Sequence, residues 1–98
     1  MSRPAAGARF LLELERADGA SAVYRATVFL PDADYASTAT LGEDGSVHLT
    51  PTGAPGDHDE TLAMFAKLLA RGVPKRRDDG LPPWPQRLLR WRGPGRGE

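Results

Sequence analysis

Between Arg9 and Leu30 the chain alternates apolar and polar residues in two runs, separated by Asp18-Gly19, a dipeptide that adopts positive φ cheaply in a tight turn. A period of two gathers one set of side chains on one face only when the backbone is extended, so the pattern reads as a β-hairpin. In Arg9 to Arg16 (RFLLELER), Phe10, Leu12 and Leu14 share one face, Arg9, Glu13 and Glu15 the other, and Leu11 is the exception. In Ala22 to Leu30 (AVYRATVFL), Ala22, Tyr24, Ala26, Val28 and Leu30 oppose Val23, Arg25, Thr27 and Phe29. Both faces of this second run are fairly apolar, which predicts an interior strand.

Pro31 cannot donate to a ladder, and the PDAD stretch has turn chemistry, so the second strand ends near Leu30. A third strand is predicted over Tyr35 to Leu41, a second hairpin turn at 42 to 45 (GEDG), and a fourth strand over Ser46 to Thr50, with Val47 and Leu49 inward. Short connections between successive strands imply an antiparallel meander. The other face of that sheet carries Arg9, Glu13, Glu15, Arg25, Thr27, Thr38, Thr40, His48 and Thr50, interrupted by Leu11, Val23 and Phe29.

After the loop at Pro51 to Gly56, a helix is expected from an Asp57 N-cap to Arg71, with Asp59 and Glu60 at the positive end of its dipole. Gly72 suits a left-handed residue just past the end, and Pro74 opposes continuation. At about 100° per residue, Leu62, Phe65, Ala66, Leu69 and Val73 form one stripe, with Met64 and Leu68 off it. Beyond residue 73 the composition turns to Arg, Pro and Gly. Residues 74 to 82 read as a linker, and Pro85 at the first helical position suggests a two-turn helix to Arg92 with Trp84, Leu88 and Trp91 on one side. The expected fold is therefore α+β: a four-stranded antiparallel β-meander in order 1-2-3-4, one amphipathic helix on one face, and a short C-terminal helical segment. The expected division is a meander-plus-helix domain over 1–73 and a basic Pro/Arg/Trp-rich arm over 74–98, partly docked, with a disordered tail from about 93.

The 98-residue chain has no cysteine, which removes disulfides, thiolate metal sites and thiol nucleophiles. Its core is expected to hold by packing alone. The longest apolar run near the N-terminus is Phe10 to Leu12, far short of a secretory or membrane-spanning segment, so a cytoplasmic location without a membrane partner is expected. Arg outnumbers Lys eleven to two beside abundant Ala, Gly and Pro, as a GC-rich bacterial genome would encode.

Formal charge sums to zero but is distributed unevenly: residues 1–66 hold four bases and ten acids, residues 67–98 nine bases and three acids. The basic end supplies the candidate partner-binding residues: Lys75, Arg76, Arg77, Arg87, Arg90, Arg92 and Arg96, with Trp84 and Trp91 as aromatic anchors or stacking platforms. The string Asp57-His58-Asp59-Glu60, with His48, is the one cluster of metal-ligand types, but consecutive residues at a helix start point apart, and helix capping accounts for them. No nucleophile elbow, phosphate loop or isolated carboxylate pair is present, so no catalytic residue, metal ligand or cofactor is assigned. The leading expectation is a small non-catalytic interaction module, acting by self-association or by protein binding through the sheet or the Trp/Arg arm. Single-stranded nucleic-acid binding through the same arm is the alternative, and a small enzyme without a recognisable motif ranks third.

Overall fold

The computed structural model describes residues 7–92. Strands β1 (Ala8–Asp18), β2 (Ser21–Phe29), β3 (Asp34–Gly42) and β4 (Val47–Leu49) form the antiparallel meander, followed by helix α1 (His58–Arg71), helix α2 (Val73–Asp78) and strand β5 (Arg87–Arg92). The sheet has five strands in the order β4-β3-β2-β1-β5. Both hairpins turn where the glycines allow it, at Gly19 (φ 61°) and Gly45 (φ 92°). In the second turn Asp44 Oδ1 accepts from the Ser46 amide at 3.0 Å, and its hydrogen bonds with Ser46 hold the Asp44 carboxyl below its ordinary range.

The C-terminal helical segment is corrected to β5. It pairs antiparallel with β1 from Ala8↔Arg92 to Glu13↔Arg87, so the first strand of the meander has a neighbour on each side. The apolar positions 84, 88 and 91 match helical spacing, but 89 and 91 also match a period of two, and a run this short is decided by tertiary pairing rather than local pattern.

Helix α1 ends at Arg71 as expected, but the left-handed stop expected at Gly72 is corrected. Gly72 has φ −80° and ψ −9°, a right-handed helical conformation, and Arg76 N–H donates to Gly72 O at 3.1 Å. Helical backbone therefore resumes across a bend into α2, within the stretch expected to be a linker. Pro74 lies in the first turn of α2, where an amide has no helical acceptor to lose, while it denies Ala70 O its regular donor and so sets the bend. The left-handed stop falls at Gly80 (φ 76°). There Gly80 N–H bonds Arg77 O at 3.1 Å and Leu81 N–H bonds Arg76 O at 2.9 Å, a Schellman motif.

Asp57 occupies the N-cap position of α1 but makes no side-chain cap hydrogen bond. Asp59 engages instead, accepting from Thr52 N–H at 3.0 Å and from the Thr52 hydroxyl, and thereby ties the 51–56 loop to the helix start. His58 lies against Phe10, with ring centroids 6.0 Å apart.

One face of the sheet carries the bent helix. The sheet supplies Phe10, Leu12, Tyr24, Val28 and Leu41, the helix Leu62, Phe65, Leu69 and Val73, all buried. Small residues make the two layers close: Ala22, Ala26 and Ala39 on the sheet and Ala66 and Ala70 on the helix are buried in the same cluster. Met64 and Leu68 remain exposed. The C-terminal segment closes this core through Trp84, which is 3% exposed. Its Nε1 donates to Gly19 O at 3.1 Å, and the Tyr24 hydroxyl donates to Pro85 O at 2.6 Å. Burial pushes the Tyr24 phenol up to about 12.

Candidate interaction surface

The other face of the sheet has no described helix across it, and strand register decides what it displays. Cross-strand pairing aligns Asp34, Phe29, Arg9 and Trp91 in one row from β3 to β5. The next row is Ala36, Thr27, Leu11 and Leu89, and the third is Thr38, Arg25, Glu13 and Arg87. Beyond it, a β-bulge between Leu14 and Arg16 leaves Glu15 as the extra residue and restores Arg16 opposite Val23.

Leu11 and Thr27, at 4% and 6% exposed, are buried at the centre of the middle row although neither belongs to the core beneath the helix. Same-face neighbours screen them: directly opposite lie Ala36 and Leu89, and the diagonal positions include Phe29 and Trp91, close enough for large side chains to touch. Leu89 and Trp91 themselves stay 39% and 40% exposed. The result is an apolar strip over three strands, bordered by Arg9, Asp34, Arg25, Glu13 and Arg87. Opposite charges stand side by side in that border, with Glu13 opposite both Arg25 and Arg87.

The candidate residues of the basic end do not converge. Lys75, Arg76 and Arg77 lie on α2. Lys75 Nζ reaches Asp79 Oδ2 at 3.2 Å, Arg76 Nε donates to Pro82 O at 2.8 Å, and Arg77 pairs with Glu43. On β5, Arg87 belongs to the open face with Leu89 and Trp91, whereas Arg90 and Arg92 alternate to the helix side. There the Arg92 guanidinium lies 5.2 Å from the centroid of the Phe65 ring, a cation–π contact. Trp84 is in the core and Trp91 on the open face, so the two indoles do not form one platform. Arg96 and the tail beyond residue 92 lie outside the described residues.

The alternation in the sequence places Phe29, Leu11 and Val23 on this face but not Leu89 and Trp91 beside them. The signal for that neighbour lay in Phe10-Leu11-Leu12, three consecutive apolar residues that an edge strand with one wet face does not need. A groove of about 680 Å³ lies between β4 and α1, lined by Val47, Leu49, Ala63, Met64 and Lys67 among others. No helix among the described residues is long and apolar enough to cross a membrane. Compared with protein-family models, curated proteins and solved structures, the chain matches none.

Proposed function

We propose that the protein is a small non-catalytic interaction module that binds protein through the open face of its sheet, on the β1–β5 side. The observation that carries this reading is the exposure of Leu89 and Trp91 beside the buried Leu11 and Thr27, in a row-by-row register that makes one strip of them. A large apolar strip with a mixed-charge border has the anatomy of an interface, in which Trp and Arg are the usual anchors and polar residues form the rim. Leaving Trp91 half in water costs solvation free energy that a covering partner recovers.

Site-specific photo-crosslinking tests this. A photoreactive residue at Phe29 should trap a protein partner, and the adduct should disappear in the Leu89→Ser/Trp91→Ala double variant but persist in the matched Met64→Ser/Leu68→Ser variant on the helix side. Equal trapping in both variants refutes the reading.

One observation favours a second reading. Trp91 and Phe29 flank Arg9 on the open sheet face, and aromatic rings beside Arg are how single-stranded nucleic acids are stacked and neutralised. Against it stand Glu13 and Asp34 in the same border and the commitment of Arg76, Arg77 and Lys75 to contacts elsewhere. Oligonucleotide binding that weakens steeply with added salt would favour it over protein binding.

A further inference from the structure

We infer that the β4 edge of the sheet is a separate binding site, for an extended peptide segment that pairs antiparallel with β4 and lays alternate side chains along the groove against α1. Counted from its N-terminus, those alternate side chains are basic, apolar, apolar and acidic. The site lies at the far side of the sheet from the β1–β5 strip and stands or falls independently of it.

The backbone of β4 comes first. Gly42 N–H donates to Ser46 O at 2.9 Å and Thr50 N–H to Thr38 O at 3.0 Å, and the β3–β4 register makes each of these a directly opposed pair. Hydrogen-bonded pairs alternate along antiparallel strands, so Thr40 and His48 form the pair between them. Val47 and Leu49 therefore turn their amides and carbonyls out of the sheet, and no hydrogen bond among the described residues reaches these groups. A strand that places one residue opposite Leu49 and another opposite Val47 gains four backbone hydrogen bonds, two from each. Edges are commonly guarded by charge or proline. The β5 edge carries Arg87, Arg90 and Arg92, whereas β4 reads Val-His-Leu.

Side chains then decide which segment fits. Val47 and Leu49 lie on the helix side, where they line the groove with Ala63 and Met64, and Met64 is 41% exposed. Directly opposed residues of paired strands share a face. The two incoming residues opposite Leu49 and Val47 therefore face the groove and are apolar, while the residue between them, opposite His48, points away. Charge fixes the ends. Asp59 is bound to Thr52, just past the Leu49 end of β4, and Glu60 lines the groove beside it. At the other end Gly45 lies against the Arg71 side chain, and Lys67 lines the groove with Gly45. The helix thus runs opposite to β4, with its acids by Leu49 and its bases by Val47. An antiparallel strand enters at Leu49, so its first groove-facing residue meets Glu60 and its last meets Lys67. A basic residue two positions before the apolar pair and an acidic one two positions after it match those ends.

Titration of the isotope-labelled full chain with the peptide Arg-Thr-Val-Thr-Val-Thr-Glu, blocked at both ends, tests the proposal by nuclear magnetic resonance. Saturable shifts should centre on the Val47 and Leu49 amides, and both amides should exchange more slowly with solvent when the peptide is bound. N-methylation of the two peptide valines removes the donors aimed at β4 and should abolish binding, whereas N-methylation of the central threonine, whose amide points away, should leave it. The reversed peptide, Glu-Thr-Val-Thr-Val-Thr-Arg, should bind about threefold or more weakly, because two exposed ion pairs become two repulsions. The Glu60→Lys/Lys67→Glu double variant, with circular dichroism confirming its fold, should invert that preference. Absence of binding, or shifts at Leu89 and Trp91 in place of Val47 and Leu49, overturns the edge site. Equal sensitivity to the two kinds of N-methylation overturns strand addition, and equal or tighter binding of the reversed peptide to the wild type overturns the direction and charge pattern. None of these results bears on crosslinking at Phe29, which tests the open face alone.

Discussion

The two faces of this sheet are built from the same strands and have opposite characters. On the helix side, Tyr24, Ala26, Val28, Ala39 and Leu41 are buried by a second layer, and small residues let that layer approach. On the open side, Leu11 and Thr27 reach nearly the same burial with no second layer among the described residues, beside the neighbours in their own row. The comparison teaches that burial alone does not identify a core. A residue shielded by a helix loses that shield only on unfolding, whereas one shielded by exposed Leu and Trp side chains sits under a surface still able to bind.

The largest expected effects should therefore lie on the helix side. Trp84→Ala removes the indole that closes the core and should cost about 3–5 kcal/mol, and Leu12→Ala or Leu62→Ala about 2–5 kcal/mol, read from denaturant midpoints. Removal of residues 82–98 should lower stability at least as much as Trp84→Ala, since Trp84 and β5 leave together. A truncated chain with an unchanged midpoint would erase the distinction between the faces.

Tyr24→Phe is the next step down. It leaves the Pro85 carbonyl without its 2.6 Å donor, at a cost of about 1–3 kcal/mol. It also changes the alkaline behaviour. Burial raises the folded-state pKa of Tyr24 to about 12, above the unfolded value near 10, so the neutral phenol is the form that folding favours. Its contribution is complete below about pH 10 and declines by up to about 1.4 kcal/mol per unit as the pH rises toward 12. The phenylalanine variant should lack that part of the decline in urea titrations at successive pH values.

At the start of α1 the effects are smaller and fall on Asp59 rather than on Asp57, the N-cap expected from the sequence. Asp59→Ala should cost about 0.5–1.5 kcal/mol by releasing Thr52, while Asp57→Ala should cost no more than a few tenths, because its side chain caps nothing. Smallest of all, Trp91→Ala in dilute solution should move the unfolding midpoint by within about 0.5 kcal/mol, the ordinary range for surface sites, while abolishing trapping at Phe29. A loss as large as that of Trp84→Ala would mean that the open face is a second core.

Most of the fold was legible wherever the deciding interactions are local. Asp18-Gly19, Pro31 and the 42–45 turn place the hairpins, and alternation assigns Phe10, Leu12, Tyr24 and Val28 to the inner face as observed. The helical stripe Leu62, Phe65, Ala66, Leu69 and Val73 is likewise buried. What was not legible depends on partners far along the chain. Residues 87–92 become a strand because β1 has a free edge, and nothing within six residues states that. Gly72 and Gly80 each sit in a plausible helix stop, and the first is passed because Pro74 fits the first turn of α2 while Val73 beside it enters the core. The candidate site was half visible: Leu11 and Phe29 broke the polar face in the sequence, but Leu89 and Trp91 joined them only through that distant pairing.

The pairing of Ala8 with Arg92 also has a consequence in time. Contacts between chain segments so widely separated close the largest loop among the described strands and are expected to form slowly. The meander and α1, assembled from neighbours in sequence, are expected to form first, with β5 zipping on last. Until it does, β1 is a bare edge carrying Phe10, Leu11 and Leu12, the stretch on which nascent chains would aggregate. The strand that finally covers it bears Arg87, Arg90 and Arg92, which keep the latecomer itself soluble while it waits.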